Sequence, residues 1–192
     1  MNPEAVLLSV VDALTAAGVP YLLAGSFSSN YYGIPRSTHD ADFVVELQGR
    51  PIMSLQRHLD PALRIDPQVE FETVTGTRRN VVTARGVAFE VELFRLSDDA
   101  HDQQRFQRRR TVALLDRNIS LPSPEDVIIT KLRWLRKKDR DDIAGVIAVQ
   151  GEALDWEYIY RWCDEHGTRE VLEEIRSALP PLGDAWISQQ NL

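Results

Sequence analysis

The chain has 192 residues, 43% hydrophobic and 27% charged, with a formal net charge of −7. This is a globular composition, long enough for one large domain or one domain with a small helical appendage. The acidic balance argues against a sequence-independent nucleic-acid coat protein, but not against an enzyme with one local basic patch. No apolar run approaches the roughly 20 residues that cross a membrane. With no basic-then-apolar leader and a single cysteine, Cys163, the chain reads as cytoplasmic and free of internal disulfides.

Asn2 is placed to cap a helix with Pro3 at its first position, an apolar stripe of Val6, Leu7, Val10 and Leu14, and Gly18 at its end. Tyr21–Ala24 is expected as a short strand. Gly25-Ser26 turns into a short helix that Gly33 or Pro35 stops. A strand follows over Ala41–Leu47, then a helix from Pro51 to Leu59. Strands are predicted over Glu70–Thr75, Asn80–Ala84 and Val87–Phe94, with Arg85-Gly86 as the tight turn between the last two. In that last strand Val87, Phe89, Val91 and Leu93 alternate onto the core face, leaving Glu90 and Glu92 on the other. Ser123-Pro124-Glu125-Asp126 opens a helix running to about Val149. Asp155 and Thr168 cap two more, ending near Gly167 and at Pro180-Pro181. The fold class is α/β (α+β): a small mixed sheet flanked by helices, with a helical C-terminal portion. A soft boundary near 117–123 divides a core, 1–120, from the helical part, 121–192.

The chemistry concentrates in LLAGSFSSNYYGIPRSTHDADFVVEL, Leu22 to Leu47. Asp40 and Asp42 lie at i and i+2 of a strand, on one face, with Cα atoms roughly 6.5–7 Å apart. Side-by-side acids at a core edge call for a positive partner, and the simplest is a divalent metal bound by hard oxygens. Gly25-Ser26 stands where a strand hands over to a helix. There glycine admits a phosphate to the backbone, the helix start offers free N–H groups, and the hydroxyl adds a donor. A third carboxylate would complete a two-metal arrangement. Glu92, in FEVELF, is the first choice and Glu90 the second.

The combination AGS, then GIPRSTHDADFVVEL, resembles the nucleotidyltransferase superfamily, the polymerase β-like fold, over roughly residues 18–150. Its pattern is Gly-Ser, a spacer, Asp-x-Asp, and a third acid on a later strand. YYGIPRSTHDADF with the later SPEDVIITKLRWLRKKDRDDI is similar to the bacterial subset that includes AbiEii-type toxins. One departure is the third acid, which is more often aspartate in the family. The resemblance implies transfer of a nucleoside monophosphate from a nucleoside triphosphate such as ATP to an acceptor hydroxyl, with release of pyrophosphate. Asp40, Asp42 and Glu92 would hold two Mg²⁺ ions. Gly25, Ser26 and Lys131 would hold the triphosphate. Arg36, Asp139 and Asp142 would belong to the same site. The implied acceptor is RNA, most specifically a tRNA end, with a cognate antitoxin as protein partner.

From the residues alone, Lys131 and Asp142 are eleven apart, about three helical turns, and so share a helix face. Alanine at Lys131 is then expected to leave the fold intact. Arg36 either contacts a phosphate or pairs with Asp40. Arg105, Arg108, Arg109 and Arg110 form one basic patch, and Arg133, Arg136, Lys137, Lys138 and Arg140 a second. Both read as solvated surface more readily than as an RNA track. His39 reads as structural, and Trp134, Trp156, Trp162 and Tyr158 as core. Two rival functions stay open: a small-molecule, antibiotic-type nucleotidyltransferase, and a nucleotide-binding module whose catalytic site has decayed.

Overall fold

The computed structural model describes residues 1–74 and 76–179. Helix α1, Pro3–Ala16, starts at Asn2, whose side chain accepts the Ala5 N–H at 2.8 Å. Its stripe of Val6, Leu7, Val10 and Leu14 is fully buried against one face of a sheet. That sheet contains β1, Tyr21–Leu23; β2, Asp40–Val45; β3, Leu63–Ile65; β4, Glu70–Glu72; β5, Thr77–Ala84; and β6, Glu90–Arg95. The order is β1-β2-β6-β5-β3, with β4 also paired to β5. Only β2 and β6 run parallel; the other pairs are antiparallel, so the sheet is mixed as expected.

The apolar alternation decides which way the acids point. Ala41, Phe43 and Val45 in β2, with Val91 and Leu93 in β6, are almost wholly buried on the α1 side. Each large side chain there contributes about 1.5–3 kcal/mol by leaving water. With period 2, Asp40, Asp42, Glu90 and Glu92 are therefore forced onto the opposite face. On that face α2, Gly25–Tyr32, and α3, Ala100–Gln107, flank the sheet together with α4, Pro124–Trp134. The hairpin β7, Arg110–Leu114, and β8, Arg117–Leu121, follows α3. After α4 come α5, Lys137–Gln150, α6, Trp156–His166, and α7, Arg169–Ala178. One apolar core joins α1, the sheet, Ile119 and Leu121 of β8, and α4 to α7, so it runs across the boundary expected near 117–123.

Several elements differ from the sequence expectation. The helix expected from Pro51 to Leu59 is present over Ile52–His58 in the tighter 3-10 form, with Ile52 and Leu55 buried. Arg85-Gly86 does turn, with Val87 N–H donating to Ala84 O, but the chain does not enter β6 until Glu90, so the connection is wider than two residues. Of the strand expected over Glu70–Thr75, the ladder covers Glu70–Glu72, and Thr75 lies outside the described residues. The helix stop at Pro180-Pro181 also lies outside them. Strand β3, helix α3 and the β7–β8 hairpin have no counterpart in the sequence reading.

The most consequential difference is the long helix expected to reach Val149. It breaks after Trp134, where Leu135 takes a left-handed conformation, φ 49° and ψ 35°. That conformation costs roughly 1–2 kcal/mol in a non-glycine residue. What offsets it is the fresh start of α5. The Asp139 carboxylate accepts the Arg136 N–H at 2.9 Å and the Arg136 Nε at 2.8 Å, closing a capping box.

Candidate active site

The hydrogen-bonded register places Asp40 beside Glu90 and Asp42 beside Glu92 on the parallel pair β2–β6. Asp40, Asp42 and Glu92 line a cleft between the sheet and the helices, whereas Glu90 is solvent-exposed and outside it. Thr38 Oγ1 donates to Asp40 Oδ1 at 2.7 Å and fixes that carboxylate at the strand start. Glu92 is held by Arg79, whose Nη1 is 2.6 Å from Oε1, while the same guanidinium also binds Glu70.

Asp42 carries the strongest perturbation in the cleft. Burial, then repulsion from Glu92 and Asp40, raises its pKa to about 7, with Lys131 and Arg136 pulling the other way. Carboxylates crowded without a cation repel one another.

The start of α2 abuts this group. Strand β1 runs antiparallel to β2, Ala24 N–H donates to Asp42 O at 2.7 Å, and the next residue is Gly25 at φ +58°. A methyl group there would lie 1.7 Å from Asp42 Oδ2. Glycine is thus what allows the helix start and the acid to share the space. Ser26 follows, its hydroxyl accepting from Arg36 Nη2 at 2.9 Å.

Arg36 does not pair with Asp40. Its Nε and Nη2 form a fork on Asp142, at 2.6 and 2.8 Å, across 106 residues of sequence. Asp142 also receives Lys131 Nζ at 2.5 Å, and Lys131 reaches Asp139 at 3.2 Å. The helical-face argument for Lys131 and Asp142 therefore fails in form, since they sit on different helices, yet the break at Leu135 brings them into contact. Burial pushes Asp142 and Asp139 up, but hydrogen bonds from Arg36 and Lys131 to the first, and from Arg136 to the second, hold both below the usual carboxylate range. Lys131 is only 5% exposed and bridges the two aspartates. It is no dispensable surface residue: Lys131→Ala is expected to cost about 3 kcal/mol, near the low end for breaking a buried pair because Arg36 and Arg136 remain. A urea midpoint unchanged from wild type would contradict that.

The basic patches are largely consumed inside the protein. Arg105 is buried against Asp102, and Arg108 stacks 3.9 Å over the Tyr158 ring while pairing with Glu125 and Asp126. Arg133 holds Asp99, and Arg140 holds Glu174. Lys137 and Lys138 stay exposed, and Lys138 is at the cleft. Tyr158 and Trp162 are core, as expected, but Trp134 is half-buried and lines the cleft, with the Arg136 guanidinium 4.9 Å from its ring. The His39 side chain is exposed, not structural.

Among the described residues, Asp99, His101 and Asp102 form a group whose ligand atoms lie within 4.8 Å of one another, and the Asp40–Asp42–Glu92 set does not. The tighter group is already neutralised: Arg133 grips both oxygens of Asp99, Arg105 faces Asp102, and Asp126 takes His101 Nε2. A cation there would sit against two guanidinium groups and the positive end of α3. In the cleft, Asp42 is instead crowded by Glu92 and Asp40, and among the described residues only Glu92 of the three is paired with a guanidinium, that of Arg79.

No protein-family model and no curated protein matches the sequence. Solved structures do. ANT(2'')-Ia in complex with adenylyl-2"-tobramycin superposes with a TM-score of 0.59 at 12% identity, over 87% of this chain and 98% of that one. The lincosamide antibiotic adenylyltransferase LnuA, lincomycin-bound, gives 0.54 at 14% identity, over 77% and 98%. An antigenic nucleotidyltransferase-like protein from Paracoccidioides brasiliensis gives 0.54 at 17% identity, over 92% and 93%. At these identities the likeness concerns backbone architecture, and the chain has the nucleotidyltransferase fold.

Proposed function

We propose that this chain is a metal-dependent nucleotidyltransferase, moving a nucleoside monophosphate from a nucleoside triphosphate to an acceptor hydroxyl and releasing pyrophosphate. The observation that carries the reading is the contact between the Gly25 helix start and the Asp42 carboxylate, with Asp40 and Glu92 lining the same cleft. A phosphate seat and a carboxylate set in contact are what phosphoryl chemistry needs from a protein.

Asp40, Asp42 and Glu92 would hold divalent cations, Mg²⁺ by donor type and two by the number of carboxylates. The fit is chemical: three hard oxygen donors, one of them raised to about 7 first by burial and then by its acidic neighbours, gain from a divalent charge. Such ions, when bound, favour the deprotonated acceptor hydroxyl and screen the leaving pyrophosphate. The chain's own contribution is positioning. The first N–H groups of α2 and the Ser26 hydroxyl orient the triphosphate. Lys131 gives two of its protons to Asp139 and Asp142, leaving the third for the nucleotide.

For the acceptor we assign an RNA hydroxyl, a tRNA end in the AbiEii-like reading, with a cognate antitoxin as the restraining partner. Its support is the exposed pair Lys137 and Lys138 at the start of α5, beside the cleft. A second reading, a small-molecule acceptor, is favoured by the internal pairing of Arg105 and Arg108, which takes two arginines of the densest basic run out of any RNA track. The fold shared with ANT(2'')-Ia and LnuA is consistent with it. Among the described residues no helix is long and apolar enough to cross a membrane. The deciding experiment incubates the protein and Mg²⁺ with each α-labelled nucleoside triphosphate, first with total cellular RNA, then with an aminoglycoside and a lincosamide. Label on RNA is the expected result. Label on the drug alone selects the second reading. Triphosphate left intact in every mixture would reduce the chain to a nucleotide-binding module without chemistry.

A further inference from the structure

We infer that Arg36 and Asp142 are positioning residues that act through Ser26, and that neither is a ligand of the nucleotide. The inference rests on the reading of Gly25-Ser26 as the triphosphate seat and names how that seat is set.

The argument is a count of hydrogen-bonding capacity around one hydroxyl. Ser26 is 5% exposed, and its oxygen accepts from Arg36 Nη2 at 2.9 Å. A serine hydroxyl has one proton to give and two lone pairs. With a guanidinium donating to the oxygen, the proton is turned away from Arg36. Among the described residues no acceptor takes that proton, although Ser26 lines the cleft. The hydroxyl is therefore presented as a donor, which is the polarity an anionic phosphate requires and the reverse of what a cation would select.

Arg36 is itself immobilised. Nε and one Nη2 proton bind Asp142, the other Nη2 proton binds Ser26, and Nη1 reaches Ser37 O at 3.4 Å. Four of its five N–H groups are thus engaged, leaving little for a phosphate. Asn30 fixes the Arg36 backbone from both sides, donating to its carbonyl at 2.7 Å and accepting its N–H at 3.1 Å. On the far side of the fork, Asp142 is 6% exposed and shared with Lys131. The chain Lys131–Asp142–Arg36–Ser26 thus ties α4 and α5 to the first turn of α2. Arginine suits this role because its planar fork holds Asp142 bidentately while a third donor addresses Ser26.

The test is a double-mutant cycle on nucleotide affinity, with ATP and Mg²⁺ in a calorimeter and kcat and KM measured alongside. Ser26→Ala is expected to weaken binding about tenfold, as loss of one hydrogen bond to a charged group does. Arg36→Met should weaken it by a similar factor, appearing in KM more than in kcat. If Arg36 acts only through Ser26, the double variant binds no worse than Ser26→Ala alone, because there is no hydroxyl left to orient. If Arg36 touched the phosphates itself, the losses would multiply to about a hundredfold, and that outcome overturns the inference. A purely structural role for Arg36 would lower melting temperature equally in both backgrounds without the affinity coupling, and overturns it as well. Where Arg36→Met alone fails to fold, Arg36→Met with Asp142→Asn removes both charges of the pair and takes its place in the cycle. Wild-type protein that bound no nucleotide at all would instead bring down the reading of the seat, a separate failure visible before any variant is made.

Discussion

Asp42→Asn should abolish nucleotidyl transfer while making the metal-free protein more stable at neutral and alkaline pH. The substitution keeps the shape of the side chain and removes one negative charge from the cleft. Loss of a cation ligand at the reacting centre is worth several kcal/mol of barrier, so activity should fall by about a thousandfold or more. The stability effect has a definite sign. Burial, Glu92 and Asp40 raise the Asp42 pKa to about 7, far above the value of roughly 3.9 in an unfolded chain. Between those values the native state keeps a proton that the unfolded chain has released. Native stability from this group is therefore complete below about pH 4 and declines as pH rises towards 7. Asparagine cannot ionise and escapes the decline. The variant should lie within about 1 kcal/mol of wild type near pH 4.5 and exceed it by about 2–4 kcal/mol at pH 8, in chelator. Asp126, Asp139 and Asp142, which are held low, lose their contribution in acid, but equally in both proteins, so the difference isolates Asp42. Mg²⁺ with nucleotide should then stabilise wild type and not the variant. A variant that is less stable at pH 8, beside a wild type indifferent to Mg²⁺ and nucleotide, would make Asp42 a structural residue and remove the catalytic reading.

What the sequence displayed of this site was its local part. Gly25-Ser26 and Asp40-x-Asp42 lie within one strand–helix–strand unit, and FEVELF alternates so plainly that the faces of Glu90 and Glu92 could be assigned before their neighbours were known. Telling those two glutamates apart needed the tertiary fold, since the register sets each beside an aspartate and only Glu92 lines the cleft. The parts that stayed hidden are held by charge pairs, some local and one spanning 106 residues, and not by periodicity. Helix α3, AHDQQRFQ, shows no apolar stripe. It is fixed by its Asp99 cap, the Asp102–Arg105 pair and one buried aromatic, Phe106. Leu135 carries no breaker signal, since neither glycine nor proline stands there. The break follows from Asp139 capping a new helix and from Lys131 reaching back across it. The Arg36–Asp142 fork spans 106 residues and has no local trace. In each case an ion pair overrides a helical or solvated reading that local propensity favours.

Gly25→Ala should damage both stability and activity, and Gly18 supplies its control. Both glycines have nearly the same positive φ, +58° and +59°, so both substitutions carry the strain of an L-residue at positive φ, roughly 1–2 kcal/mol. A Cβ added at Gly18 would have nothing within 4 Å, whereas one at Gly25 would meet the Asp42 carboxyl, with Oδ2 at 1.7 Å and Cγ at 2.7 Å. Overlap of that size must displace either the carboxylate or the start of α2, at a further cost of about 1–3 kcal/mol. Gly18→Ala is therefore expected to lower stability by about 1 kcal/mol and leave transfer activity unchanged. Gly25→Ala should lower stability by about 3 kcal/mol and eliminate activity, because the phosphate seat and the acid separate. Adding Asp42→Ala removes the two overlapping atoms and leaves only the 3.1 Å contact with the Asp42 Cβ. At about pH 4, where loss of the Asp42 charge does not itself stabilise the native state, the double variant should thus recover stability to near the Gly18→Ala level, and it should remain inactive at every pH. Denaturant midpoints of the four proteins, with activity measured in parallel, decide it. Equal losses for Gly18→Ala and Gly25→Ala, with activity retained in both, would mean that the close approach of α2 to Asp42 has no part in the chemistry.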